Sequence, residues 1–203
     1  MTPIRPLELL DPGRSLVLAI DLQGKLVRMA HRSELLIAAT RRLLELADAV
    51  GVPVLLTEQY PQGLGPTCPE VEEVFERLGV ARRKLVKTSF GCCGDPGFEE
   101  AVADLLGGLP AERRQLVVAG IEAHVCVMQT VLELRRRGSD VHVCFECVSG
   151  RGAEYRAHAL ERMRQAGAQI TNHESVVFEW MRDKGHPAFR AVNRILRAGQ
   201  LTG

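Results

Sequence analysis

Charge of one sign is missing from this chain: 26 Lys and Arg stand against 25 Asp and Glu in 203 residues, a formal net charge of +1. That balance lacks the basic footprint of a general nucleic-acid binder and the cationic face of a membrane-surface helix, so neither partner is expected. No unbroken apolar run approaches the ~20 residues of a membrane span. No repeat, low-complexity tract or linker interrupts the chain, and one domain over 1–203 is expected. No G-x-G-x-x-G follows a strand and no Walker pattern occurs, which disfavours dinucleotide and triphosphate sites. The opening MTPIRPLELLDPGRS carries two prolines and charges where a secretory signal needs an apolar stretch. A cytoplasmic location and reduced thiols are therefore expected, and six cysteines are too few for a disulfide scaffold.

What is present is an ordinary globular composition, 46% hydrophobic and 25% charged, in a chain long enough to bury a sizeable core. Periodicity alternates strands with helices. Ser15–Asp21, Val52–Thr57, Arg83–Lys87, Gln115–Ile121, Asp140–Phe145 and Ala168–Thr171 read as strands. Glu34–Val50, Glu70–Leu78, Phe98–Leu106, His124–Arg137 and Ala153–Gln165 read as the helices between them, with further helical segments near Ser175–Asp183 and Pro187–Ala198. Strands separated by helices imply an α/β fold: a three-layer α/β/α, doubly wound, mostly parallel six-stranded sheet. Ligands of such sheets sit beyond the carboxyl ends of the strands, where strand order reverses.

Those strand ends carry reactive groups. Asp21 ends the first strand, Glu58, Gln59 and Tyr60 follow the second, and Lys87 ends the third. Cys126 falls six residues beyond Gly120, in the first turn of a helix, where the dipole and free N–H groups favour a thiolate. A carboxylate could take the thiol proton and a lysine could hold that carboxylate, the arrangement of a cysteine nucleophile without a histidine. Taken singly, each residue also has an ordinary explanation: an Asp that starts a turn, a solvated edge lysine, a core cysteine. Cys144 and Cys147 form a C-x-x-C that fits half a zinc site or a redox pair. It lies at a strand end rather than a helix start, and Cys92 and Cys93 are awkwardly placed as further ligands.

The segment Leu116–Thr130 (LVVAGIEAHVCVMQT), with AIDLQ around Asp21 and VKTSF around Lys87, resembles the isochorismatase-like cysteine hydrolases. TEQYPQGLGPT (Thr57–Thr67) and ITNHESVVFEW (Ile170–Trp180) resemble the branch named isochorismatase domain-containing proteins. The resemblance implies Cys126 as nucleophile, Asp21 as general base and then acid, and Lys87 as the cation that orients Asp21 and lowers the thiol pKa. It implies a cis Ile121–Glu122 peptide and an oxyanion hole from the backbone N–H groups of Glu122 and Cys126. The implied activity is a hydrolase acting through an acyl-thioester on a small-molecule amide or related carbonyl compound, with no cofactor. Vinyl-ether hydrolysis is disfavoured, because in that branch the cysteine is not the working nucleophile. Nicotinamidases carry an Asp-x-His metal motif after the second strand, where this chain has Glu58-Gln59-Tyr60, so no metal is expected. Leu26 stands where the family often has an aromatic residue. Gln23, Leu26, Tyr60, Phe90 and His124 are candidate pocket residues, and a homo-oligomer, dimer or tetramer, is expected. The alternative is a thiol-bearing oxidant-sensing or binding protein on the same fold, without turnover.

Overall fold

The computed structural model describes residues 8–198. The first seven residues of the N-terminal stretch read above lie outside the described residues. In chain order the strands are β1 Ser15–Ile20, β2 Val54–Gln59, β3 Arg82–Lys87, β4 Gln115–Gly120, β5 Asp140–Val148 and β6 Gln169–Thr171. The helices are α1 Gly24–Arg28, α2 Ser33–Val50, α3 Pro61–Leu64, α4 Pro69–Arg77, α5 Pro96–Leu105, α6 Met128–Arg136, α7 Ala153–Gln165, α8 His173–Met181 and α9 Phe189–Arg197. All strand pairs are parallel, in the order β3-β2-β1-β4-β5-β6. The chain thus winds outward from β1 in both directions, and the strand order reverses between β1 and β4.

Side chains along β1 alternate between two apolar layers, as the two-residue period of a strand requires. Val17 and Ala19 face a cluster that includes Leu36, Leu43, Leu46 and Trp180, from α2 and α8. Leu16, Leu18 and Ile20 face a cluster with Phe98, Val131 and Met163, from α5, α6 and α7. Both faces are covered, which is why β1 and β4 read as continuous apolar runs. Each leucine buried this way contributes about 1.5–3 kcal/mol.

Several boundaries differ from the sequence expectation. β2 starts at Val54, two residues late, because Pro53 has no N–H to give to a ladder, and it runs on to Gln59 by pairing with Lys87. β5 likewise continues past Phe145 to Val148, where it pairs with Gly120 after a register shift. The helix expected from His124 begins as a π-helical turn over Ala123–Val127 before α6. The short helices α1 and α3 fall in stretches that the periodicity left unassigned; each is too brief to establish a period.

Two backbone features shape the switch point. Asp21 leaves β1 with φ 53°, in the left-handed region, which turns the chain off the sheet directly after Ile20. Gly120 lies opposite Ile20 with φ 129°, and a Cβ there would stand 2.1 Å from the Ile20 carbonyl oxygen. Only glycine permits that close approach.

Candidate active site

The end of β1 is held by a buried ion pair. Lys87 Nζ donates to Asp21 Oδ2 at 2.7 Å, and both side chains are almost wholly excluded from solvent. Removing two charges from water is costly, so a stable pair needs its other hydrogen-bonding capacity filled. That condition is met. Thr57 Oγ1 donates to Asp21 Oδ1 at 2.7 Å. Lys87 Nζ also reaches Gln59 Oε1 at 2.9 Å and the carbonyls of Ser89 (3.1 Å) and Phe90 (3.0 Å). Thr57 and Gln59 are two apart on β2, so their side chains share one face, toward the ion pair.

Across the switch point, the chain leaves β4 through a cis Ile121–Glu122 peptide and enters the π-helical turn that carries Cys126. Cys126 is 8% exposed. Its turn is tied down by Thr130, whose hydroxyl donates to the Cys126 carbonyl at 2.7 Å and accepts from the Cys92 N–H at 2.9 Å. The Glu122 N–H donates to no backbone carbonyl among the described residues, while its carboxylate pairs with Arg151 at 2.8 Å.

The electrostatics of the thiol correct the sequence expectation. Burial, then the Asp21 charge, push the Cys126 thiol up to about 12; Lys87 opposes them and does not prevail. The resting group is a thiol facing a carboxylate, not a preformed thiolate at a helix start. The helix-dipole argument loses because desolvation of a charged sulfur outweighs a partial charge at the turn.

Residues 15–175 match the isochorismatase domain. The chain belongs to the isochorismatase family. Isochorismatase domain-containing protein 2 of Xenopus laevis is 34% identical over 197 residues, covering 97% of this chain and 90% of that protein. Among solved structures, the MAR1 ribonuclease of Caenorhabditis elegans superposes with a TM-score of 0.82 at 32% identity, over 93% of this chain and 92% of that one. The YcaC gene product of Escherichia coli, described as an octameric hydrolase of unknown specificity, gives a TM-score of 0.81 at 26% identity, over 95% and 91%. Among the described residues, no helix is long and apolar enough to cross a membrane.

Within this isochorismatase-family fold the named residues separate into two groups. Asp21, Lys87, Ile121, Glu122 and Cys126 gather at the switch point. Phe90 and Tyr60 adjoin Lys87 through their backbones, the Tyr60 N–H donating to the Lys87 carbonyl at 2.9 Å, and both side chains are exposed. His124 stacks on Tyr155, with ring centroids 4.9 Å apart, and its Nδ1 is buried without a protein partner.

Gln23 and Leu26 have other partners in the fold. The Gln23 carboxamide is fully buried. It donates to the carbonyls of Gln59 (3.1 Å) and Gly65 (2.6 Å) and accepts from the Gln59 N–H at 2.6 Å. It clasps the β1 and β2 exits together and has no donor left for a ligand. Leu26 packs on the apolar layer that contains α2. Glu58, at the position compared with the nicotinamidase motif, accepts from the Thr67 N–H and hydroxyl, both at 2.8 Å. The sequence assigned Thr57 and Thr130 no role, and placed Gln59 only among the polar groups after the second strand. The available signal was the polar pair Thr57 and Gln59 on one face of a strand whose first three residues are apolar.

Proposed function

We propose that this isochorismatase-family chain is a cysteine-dependent hydrolase, cleaving a small amide or related carbonyl compound through an acyl-thioester on Cys126. The observation that carries the reading is the fully buried Asp21–Lys87 pair at the switch point, with the Cys126 thiol near enough for the Asp21 charge to act on it. A buried carboxylate oriented by a lysine and facing a thiol is poised to move one proton. Cys126 Sγ attacks the carbonyl carbon as its proton passes to Asp21, and the developing oxyanion meets the backbone N–H groups of Glu122 and Cys126. Collapse breaks the C–N bond, and the amine leaves with the proton held by Asp21. Water then attacks the thioester and gives a proton to Asp21; the C–S bond breaks and that proton returns to sulfur. Lys87 holds the carboxylate throughout and transfers nothing. Phe90, Tyr60 and His124 are the proposed walls toward the substrate.

The oxidant-sensing alternative draws less support. Oxidation follows thiolate character and exposure, and Cys126 has little of either. The test is a library of small primary amides and esters incubated with the full chain. Peptide mass spectrometry then looks for a hydroxylamine-sensitive acyl adduct on Cys126. Hydrolysis that disappears in Cys126→Ala and in Asp21→Asn supports the reading. Hydrolysis that survives Cys126→Ala refutes the acyl-thioester.

A further inference from the structure

The C-x-x-C of β5 lies on the other face of the sheet from Cys126. Cys144 and Cys147 are fully buried in the layer that contains α2 and α8, whereas Cys126 belongs to the opposite layer. Sequence alone offered these two thiols no further ligands. The parallel register supplies them. Cys144 pairs with Thr171 of β6, so two residues further along each chain Glu146 comes beside His173 at the start of α8. Glu146 Oε1 accepts from the His173 N–H at 2.6 Å and lies 2.5 Å from His173 Nδ1.

One potential ligand atom from each of Glu146, Cys147 and His173 lies within 4.8 Å of the others, the one such trio of His, Cys, Asp or Glu among the described residues. Cys144 is close enough to Cys147 to raise its thiol, but it stands outside the group of three whose ligand atoms all lie within 4.8 Å. A helix cap and a His–Glu contact alone leave this cluster incomplete. His173 Nε2 and Glu146 Oε2 are both buried with no hydrogen-bond partner, and His173 as a residue is only 6% exposed. Buried polar atoms without partners cost about 1–3 kcal/mol each, so two in one cluster of metal-ligating side chains point to a missing ligand.

We propose that Glu146, Cys147 and His173 hold a structural Zn2+ that ties β5 to the start of α8, with the nearby Cys144 thiol drawn in as the fourth ligand. Two thiolates, an imidazole and a carboxylate suit a borderline-soft dication in a closed tetrahedral site, with bonds of about 2.0–2.3 Å. On binding, each thiol releases its proton to solvent and its sulfur lone pair forms a Zn–S bond; no electron is transferred. Two thiolates and one carboxylate exceed the dication by one negative charge, and the Arg156 guanidinium, which donates to the Val148 carbonyl, is near enough to Glu146 to feel its charge. This assignment revises the expectation of a metal-free chain. It does not depend on the hydrolase reading, since it uses none of the residues around Cys126.

The probe is Co2+ added to the full-length, metal-stripped, reduced chain, followed by absorption and then by Zn2+ displacement. The expected result is one equivalent bound, with intense sulfur-to-cobalt charge-transfer bands and tetrahedral visible bands that stoichiometric Zn2+ removes. Cys147→Ser and Cys144→Ser should each weaken the charge-transfer bands, and His173→Gln should weaken affinity roughly tenfold or more. The Cys126→Ser chain should bind as wild type does. Because a cysteine variant can lose its fold, Glu146→Gln gives a milder perturbation. Thermal melting gives a second readout: Zn2+ should raise the Tm of wild type and not that of His173→Gln. Absence of charge-transfer bands with all thiols reduced overturns the site. So does binding only at millimolar metal, or bands that vanish in Cys126→Ser and persist in Cys147→Ser.

Discussion

Replacing Asp21 by Asn should make Cys126 more reactive toward an alkylating agent while abolishing turnover. In the wild-type chain the thiol stands near 12 against an ordinary value of 9.0. At pH 8 an ordinary thiol is about 10% thiolate, whereas a thiol near 12 is about 0.01% ionised, roughly a thousandfold less. Cys126 labelling by iodoacetamide should therefore rise about tenfold per pH unit from pH 7 to 10, without a plateau. The Asp21 charge is the second-largest upward influence after burial, and Lys87 is the opposing one. Asp21→Asn removes the first and leaves Lys87 without its counter-charge, so both changes move the thiol pKa downward. The assay is per-cysteine peptide mass spectrometry across pH 7–10, with circular dichroism as a check on folding and the urea-unfolded chain as the reference. Faster labelling in Asp21→Asn than in wild type at pH 8 is expected. A wild-type profile that is flat across pH 7–10, or slower labelling in the variant, would refute the account of the thiol given above.

Lys87→Met leaves the Asp21 carboxylate buried without a cation and should cost about 3–5 kcal/mol in urea unfolding. The Asp21→Asn/Lys87→Met double variant should be more stable than Lys87→Met, and equal or lower stability would mean that the pair is not coupled. Gly120→Ala places a Cβ 2.1 Å from the Ile20 carbonyl oxygen and should exceed ~4 kcal/mol, leaving little folded protein. By contrast Gly51→Ala, with φ 83° but nothing within 4 Å, should cost about 1–2 kcal/mol by thermal melting. Burial raises the thiols of Cys92 to about 11 and of Cys93 and Cys126 to about 12. Folded values above the unfolded value mean that the folded chain holds these protons longer. Their contribution is complete below pH 9 and is lost as pH rises from 9 toward 12. The urea midpoint should thus fall above pH 9, less steeply in Cys93→Ser, and a flat profile to pH 11 would contradict this.

Much of the fold was legible because apolar runs and helical spacing record burial directly. Ser15–Ile20 and Gln115–Gly120 are apolar on both faces, and that alone made them central parallel strands. Asp21, Lys87 and Cys126 were visible as reactive groups beyond strand ends. Less visible was what each would touch. Gln23 was a candidate pocket residue, yet its amide is consumed by two carbonyls and an N–H. Gln59 looked like a polar residue after a strand, and only the pairing of β2 with β3 turns it toward Lys87.

Local order was thus determined by the sequence itself: which segments become strand or helix, where the glycines permit a turn, and which reactive groups end a strand. Two things depended on the tertiary structure. One is the state of the Cys126 thiol, because desolvation and the Asp21 charge act through space and outweigh the local helix start. The other is the company of Cys144 and Cys147, because His173 reaches Glu146 only through the register of β5 against β6. Hydrophobic pattern is a property of neighbours along the chain; burial and electrostatics are properties of neighbours in space.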